Sequence, residues 1–371
     1  MLYKSLIRPL LFLGDPENTH EQTLRLLSGI EPFDAVFQRL FCVQDSRLQV
    51  KVGSLTFPNP VGLAGGFDKN GIAVKTIAAF GFGFMEIGAV TALAQPGNPK
   101  PRLYRLPRDE ALINRLGFNN EGATAIAERL RTLRGNGTPL KIPLGINIGR
   151  SKIVETKDAV ADFVSTFDKL YPYGDFFTLN VSSPNTPQLR DLQERDRLQG
   201  LLQAIQEKND ELSTRFGQTR RPILVKIAPD MEFSQADDII GVALSEKISG
   251  IIATNATAFL RETLASGSKE PGGLSGKPLR ALATSFVRHL YRAVGDKLPI
   301  IGVGGIFTAA DAYEKIKAGA SAVQIYTGFV YEGPAAVKRI NQGLIRFMER
   351  DGFKSIAEAV GTDNIKGLNV N

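Results

Sequence analysis

From about residue 46 onward, short apolar runs alternate with segments whose apolar positions recur every three to four residues. Eight runs stand out, at 60–63, 84–90, 143–148, 176–181, 223–227, 250–254, 300–303 and 322–325. They are mostly continuous rather than alternating, as strands read when helices cover one face and a closed interior the other. Eight strands separated by amphipathic helical segments predict an α/β fold, a parallel (β/α)₈ TIM barrel. Functional groups of such a barrel gather at the carboxyl ends of its strands.

Residues 1–45 follow another rule. Phe33, Val36, Phe37, Leu40 and Phe41 keep helical spacing, and Leu2, Leu6, Leu10 and Phe12 are interleaved with Lys4 and Arg8. This predicts an amphipathic helical extension (1–45) on a barrel domain (46–371). Its apolar face would either cap the barrel or meet lipid or a lipophilic ligand. The run Leu10 to Leu13 is too short to cross a bilayer, and no small-residue cleavage site follows it. Two connections, about 91–120 and 256–277, are long for a compact barrel and follow strand ends, where long ordered loops carry function.

Composition narrows the chemistry. The 371 residues are 43% hydrophobic and 22% charged, an ordinary globular balance. The net charge of +7 is spread along the chain without a basic cluster that alternates with aromatics, so nucleic acid is not expected. A basic chain equally suits an anionic substrate, a phosphate-bearing cofactor or an anionic membrane surface. One cysteine, Cys42, excludes an internal disulfide and a cysteine-rich zinc site, and suits an intracellular chain. Two histidines, His20 and His289, are few for metal hydrolase chemistry, and no metal is expected.

Polar residues interrupt or end the apolar runs at Lys69, Asn147, Asn180, Lys226 and Thr254-Asn255. Taken singly, each could be a satisfied structural group. Several converging on one barrel face point to a ligand site. The last two runs lead into Gly302-Val303-Gly304-Gly305 and Tyr326-Thr327-Gly328, in the βα-loops where such barrels bind phosphate. Amides and ammonium groups without a metal cluster suit a flavin, with Lys226 placed to stabilise the charge formed on reduction.

Several phrases resemble the dihydroorotate dehydrogenase family: Asn98-Pro99-Lys100-Pro101-Arg102, Asn114 through Asn120, Asn180 through Asn185, Gly272 through Gly276, and Gly302 through Ile306. The resemblance runs from about residue 50 to 350. It implies one FMN per chain and oxidation of dihydroorotate to orotate in pyrimidine biosynthesis. Implied cofactor contacts are Ala64, Gly65, Gly66, Lys69, Ala89, Asn147, Asn180, Lys226, Thr254, Gly276, Gly304, Gly305, Tyr326 and Thr327. Implied substrate contacts are Lys69, Asn114, Arg115, Leu116, Gly117, Phe118, Asn180, Asn185, Asn255 and Ala256. Ala89 and Ala256 stand where the family commonly has threonine, which removes a hydroxyl at each place.

A base must take a proton from substrate C5 as hydride leaves C6, and the family pattern assigns this to Ser183. Thr186 and Phe118 would govern proton passage, and Pro184 and Pro187 would stiffen the loop. Soluble members of the family carry a cysteine base, whereas membrane-associated members carry serine and reduce quinones. Ser183 therefore implies a membrane quinone partner, a monomer, and peripheral attachment at the cytoplasmic face of the cell membrane through the N-terminal helices. His20, Arg105 and Tyr326 are implied at the quinone site. The alternatives are a soluble oxidoreductase using fumarate or NAD, and a non-catalytic flavin- or phosphate-binding barrel.

Overall fold

The computed structural model describes residues 2–135, 140–186 and 188–365. Pro187, expected to stiffen the serine loop, lies outside the described residues. Eight parallel strands close into a barrel in sequence order: β1 (Val61–Asp68), β2 (Phe84–Val90), β3 (Leu144–Ile148), β4 (Phe176–Asn180), β5 (Ile223–Ile227), β6 (Gly250–Ala253), β7 (Ile300–Val303) and β8 (Ala322–Ile325). Each apolar run of the sequence is one barrel strand, within a residue or two at most ends. The exception is β1, which continues past Leu63 to Asp68 with a register shift against β2. Gly65 and Gly66 end the apolar run there without ending the strand.

Aromatic packing seals the amino-terminal mouth. The hairpin Val50–Val52 and Leu55–Phe57 places Phe57 flat on Phe84, with ring centroids 4.1 Å apart, and Phe176 lies 6.2 Å from Phe57. Glycine on the preceding strand makes room: a Cβ on Gly62 would sit 2.3 Å from the Phe84 ring, and one on Gly145 would sit 2.2 Å from Phe176. All three rings are fully buried. The opposite mouth is roofed by a three-stranded antiparallel sheet of Leu103–Leu106, Ala111–Asn114 and Gly273–Gly276. This sheet joins the two long connections, with Gly273 paired to Asn114, and it was not expected from the sequence.

Residues 2–41 are mostly helical, as expected. Helical turns Tyr3–Ile7 and Arg8–Leu11 lie along the eighth βα-unit, where the Tyr3 hydroxyl donates to the Val330 carbonyl and Lys4 pairs with Glu332. Helix Pro16–Gly29 starts on Asp15, whose carboxylate accepts from the Asn18 N–H. Its Glu17 is buried against Arg102 at 2.6 Å, and Leu24 enters the main core. In helix Asp34–Phe41 the stripe splits: Phe37 and Phe41 pack on Phe80 of the barrel, while Phe33, Val36 and Leu40 stay exposed. Among the described residues, nine of the fifteen exposed large hydrophobics fall in this stretch, which gives it an apolar outer face. No helix among the described residues is long and apolar enough to cross a membrane.

Candidate functional site

Between the strand ends and the antiparallel roof lies a cleft of about 1090 Å³, counting its mouth. Its floor comes from β1, β4, β5, β6 and β8, which deliver Ala64, Asn180, Lys226, Thr254 and Gln324. The roof supplies Leu103, Leu112, Asn114 and Ser275. Charge in the cleft is of one sign, since Lys69 and Lys226 are the only charged lining residues among the described ones. Neither ammonium forms a salt bridge or hydrogen bond with another described residue. Burial pushes Lys69 down to about 8, although Glu17 partly opposes the shift. Burial also lowers Lys226, against the pull of Glu86. Two buried polar oxygens on the floor, the Thr254 hydroxyl and the Gln324 side-chain carbonyl, have no hydrogen-bond partner among the described residues. A ligand with anionic groups and polar ring edges would satisfy all four.

At the other end of the cleft, Gly304 and Gly305 have φ of 116° and 71°. A Cβ on Gly305 would press 2.4 Å from that of Arg280, so the turn stays tight and bare of side chains. Helix Thr327–Glu332 begins beside it. Bare backbone at this place fits a phosphate, and the cleft as a whole fits a flavin mononucleotide.

Most residues implied by the sequence meet here: Gly65, Gly66, Ala89, Leu116, Gly117, Phe118, Ser183, Asn185, Asn255, Ala256, Gly276, Tyr326 and Thr327 line the same cleft. The Ser183 hydroxyl is buried and accepts from the Asn185 N–H at 3.3 Å. Asn185 in turn donates to the Asn114 backbone carbonyl at 3.1 Å, which ties the serine loop to the roof. Asn147 stands one layer behind, donating to Glu86 and accepting from Asn180.

Two further expected residues also lie off the cleft. Arg115 turns away from the cleft, donating to the Pro101 carbonyl and the Tyr104 hydroxyl; it follows the strand Ala111–Asn114, whose Leu112 and Asn114 face inward, on the opposite side. Thr186 is buried but does not line the cleft, and no hydrogen bond joins it to Ser183. Glu86 and Gln324 were missed, although the signal used for Lys226 applied to both: each interrupts an apolar strand run.

A second cavity of about 820 Å³, largely apolar, opens between the N-terminal helices and the barrel. It shares Leu103, Leu112 and Tyr326 with the first as a common wall. His20 and Arg105 both line it. A His20 ring nitrogen, Nε2, lies 2.7 Å from the Phe67 carbonyl, and Arg105 donates to the carbonyls of Leu11 and Gly14.

Burial holds His20 down at about 4, with Lys69 acting in the same direction. The unfolded chain takes up this proton below about 6.5 and the folded one only below about 4. His20 therefore stabilises the fold fully above the unfolded value, and this share is lost as pH falls from about 6.5 towards 4. Between pH 7.5 and 4.5, His20→Gln is expected to lose less stability than the wild type, by on the order of 2 kcal/mol. Equal losses in denaturant titrations of the two proteins would refute it.

Fold and site together define a barrel enzyme with a cationic cleft under the antiparallel roof that fits a phosphate-bearing cofactor. The chain belongs to the dihydroorotate dehydrogenase family: the family profile of that description matches residues 47–348. It is similar to the dihydroorotate dehydrogenase (quinone) of Trichormus variabilis, 44% identical across 98% of this chain and 99% of that one. That of Nostoc punctiforme is 47% identical, covering 98% of each. The ligand-free crystal structure of the Eimeria tenella enzyme superposes with a TM-score of 0.86 at 38% identity, covering 94% of this chain and 99% of that chain.

Proposed function

We propose that this chain oxidises dihydroorotate to orotate in pyrimidine biosynthesis, with FMN as first electron acceptor and a membrane quinone as second. The observation that carries this reading is the pair of cavities, one polar and cationic, one apolar, sharing the wall of Leu103, Leu112 and Tyr326. Two acceptors of different solubility can then exchange electrons without meeting the same solvent. Relatives named as quinone enzymes, similar over nearly the whole chain, support the assignment.

Bound FMN would supply a hydride acceptor beside the substrate. Lys226, Thr254 and Gln324 would hold its ring, with backbone of Ala64 through Gly66 and of Ala89 along it. Gly276, Gly304, Gly305 and Thr327 would hold its phosphate. Lys69 and the amides of Asn114, Asn180, Asn185 and Asn255 would orient the substrate and balance its carboxylate. Ser183 takes the proton from C5. The roof and the Phe118 ring keep bulk water from the reacting carbons. His20 and Arg105 would meet the quinone head, while the exposed leucines of the first helices rest in the membrane surface.

The test is anaerobic mixing of the purified yellow protein with dihydroorotate. The flavin band should bleach with release of orotate, recover when a quinone is added, and stay bleached with fumarate or NAD. Absence of bleaching would overturn the reading. Recovery with fumarate alone would move the chain to the soluble, fumarate-reducing kind.

A further inference from the structure

The buried carboxylate of Glu86 touches neither the substrate nor the flavin in the proposed reaction. It sits mid-strand in β2, fully enclosed, behind the cleft floor. Its two oxygens each accept one amide hydrogen bond, from Gln324 Nε2 at 2.6 Å and from Asn147 Nδ2 at 2.9 Å. The series continues: Asn147 Oδ1 accepts from Asn180 Nδ2 at 3.1 Å, and Asn180 Oδ1 accepts from the Ser182 hydroxyl at 3.1 Å and from Asn255 Nδ2 at 3.4 Å. Every link runs one way, towards the carboxylate.

The direction has a physical origin. An amide side chain flips between two nearly isosteric orientations, and only its partners decide which end is donor. A carboxylate can only accept. Glu86 therefore forces Asn147 to present Nδ2 to it and Oδ1 to Asn180, which forces Asn180 to donate there and to accept from Ser182 and Asn255. With Oδ1 occupied, the group Asn180 has left for the cleft is its second N–H. By the same logic Gln324 is fixed with its carbonyl unsatisfied at the cleft floor. Glycine at position 65 is part of the device, because a Cβ there would lie 3.0 Å from both Glu86 Oε2 and Asn147 Nδ2.

We propose that Glu86 is the positioning residue that sets the donor and acceptor polarity of the amides facing substrate and flavin. Asn255 Nδ2 is spent on Ser182 Oγ at 2.9 Å and on Asn180 Oδ1, so an anionic substrate draws its donor from Asn180, and a reversed series would aim Asn180's carbonyl at it instead. The inference rests on orotate and FMN occupying the cleft as proposed above.

The test uses the holoenzyme and reads orotate binding at equilibrium through the perturbation of the flavin spectrum, independent of turnover. Glu86→Gln keeps shape and volume but lets the first link run either way. Its expected result is retained flavin content, an unchanged melting temperature and at least tenfold weaker orotate binding. Glu86→Asp fits the space worse but restores an acceptor-only terminus, so it should bind orotate more tightly than Glu86→Gln. Orotate affinity of Glu86→Gln within twofold of the wild type, or the opposite order of the two variants, would overturn the proposal. Should Glu86→Gln yield no soluble holoenzyme, neutron diffraction of the wild type reads the same direction. Deuterons on Asn147 Nδ2 facing Glu86 and on Asn180 Nδ2 facing Asn147 are expected, and a reversed order overturns it. If orotate fails to perturb the wild-type spectrum at all, the functional assignment fails instead.

Discussion

Replacing Ser183 with alanine is expected to leave FMN bound and orotate binding nearly intact, while the rate of flavin reduction by dihydroorotate falls by about 10²–10⁴. The hydroxyl contributes one weak contact to the fold, the 3.3 Å bond from the Asn185 N–H, so its removal leaves the loop anchored through Asn185 and Asn114. No histidine assists it: His20 lines the second cavity, and His289 pairs with Asp237 away from the cleft. What favours proton loss from the hydroxyl is the field of two ammonium groups lining the cleft, Lys69 and Lys226, with no acidic side chain among the described residues that line it. The measurement is anaerobic stopped-flow mixing with dihydroorotate, following the flavin band. A decrease under tenfold would move the base role to another residue.

The part of the site that was legible came from one rule: a polar residue inside or at the end of an apolar strand run needs a reason. Asn147, Asn180 and Lys226 were found that way, and all three belong to the cleft or its supporting layer. Glu86 and Gln324 obey the same rule, each standing inside an apolar run. What could not be read was pairing across long separations. The roof sheet joins Asn114 to Gly273, and its three strands of four residues carry too little pattern to reveal the partnership. Without that sheet, the facing of Arg115 was open, because one step along a strand reverses the side on which a side chain lies. The extension showed its helices but not its attachment. The Phe37 and Phe41 edge of the stripe meets the barrel, Val36 and Leu40 face outward, and no periodicity separates the two.

That split face leads to the second large effect. Removing residues 1–14 is expected to preserve flavin reduction by dihydroorotate and to lower turnover with long-chain quinone in vesicles by about a hundredfold. The cut falls at Gly14 because the helix after it is anchored to the barrel by the buried Glu17–Arg102 pair and by Leu24 in the core, with its start held by the Asp15 cap. Ahead of it, Leu2, Leu6, Leu10 and Leu13 are all more than half exposed. Burying each in a membrane surface contributes roughly 1.5–3 kcal/mol. Loss of two such contacts already weakens membrane residence about a hundredfold. The same cut strips Tyr3, Leu11 and Phe12 from the wall of the apolar cavity and frees Arg105 from the Leu11 and Gly14 carbonyls. A short, water-soluble quinone needs neither the membrane nor the full wall, so its turnover should fall far less. Equal losses with both quinones would make the segment a mere cap, and full activity on long-chain quinone in vesicles would remove its role in quinone access.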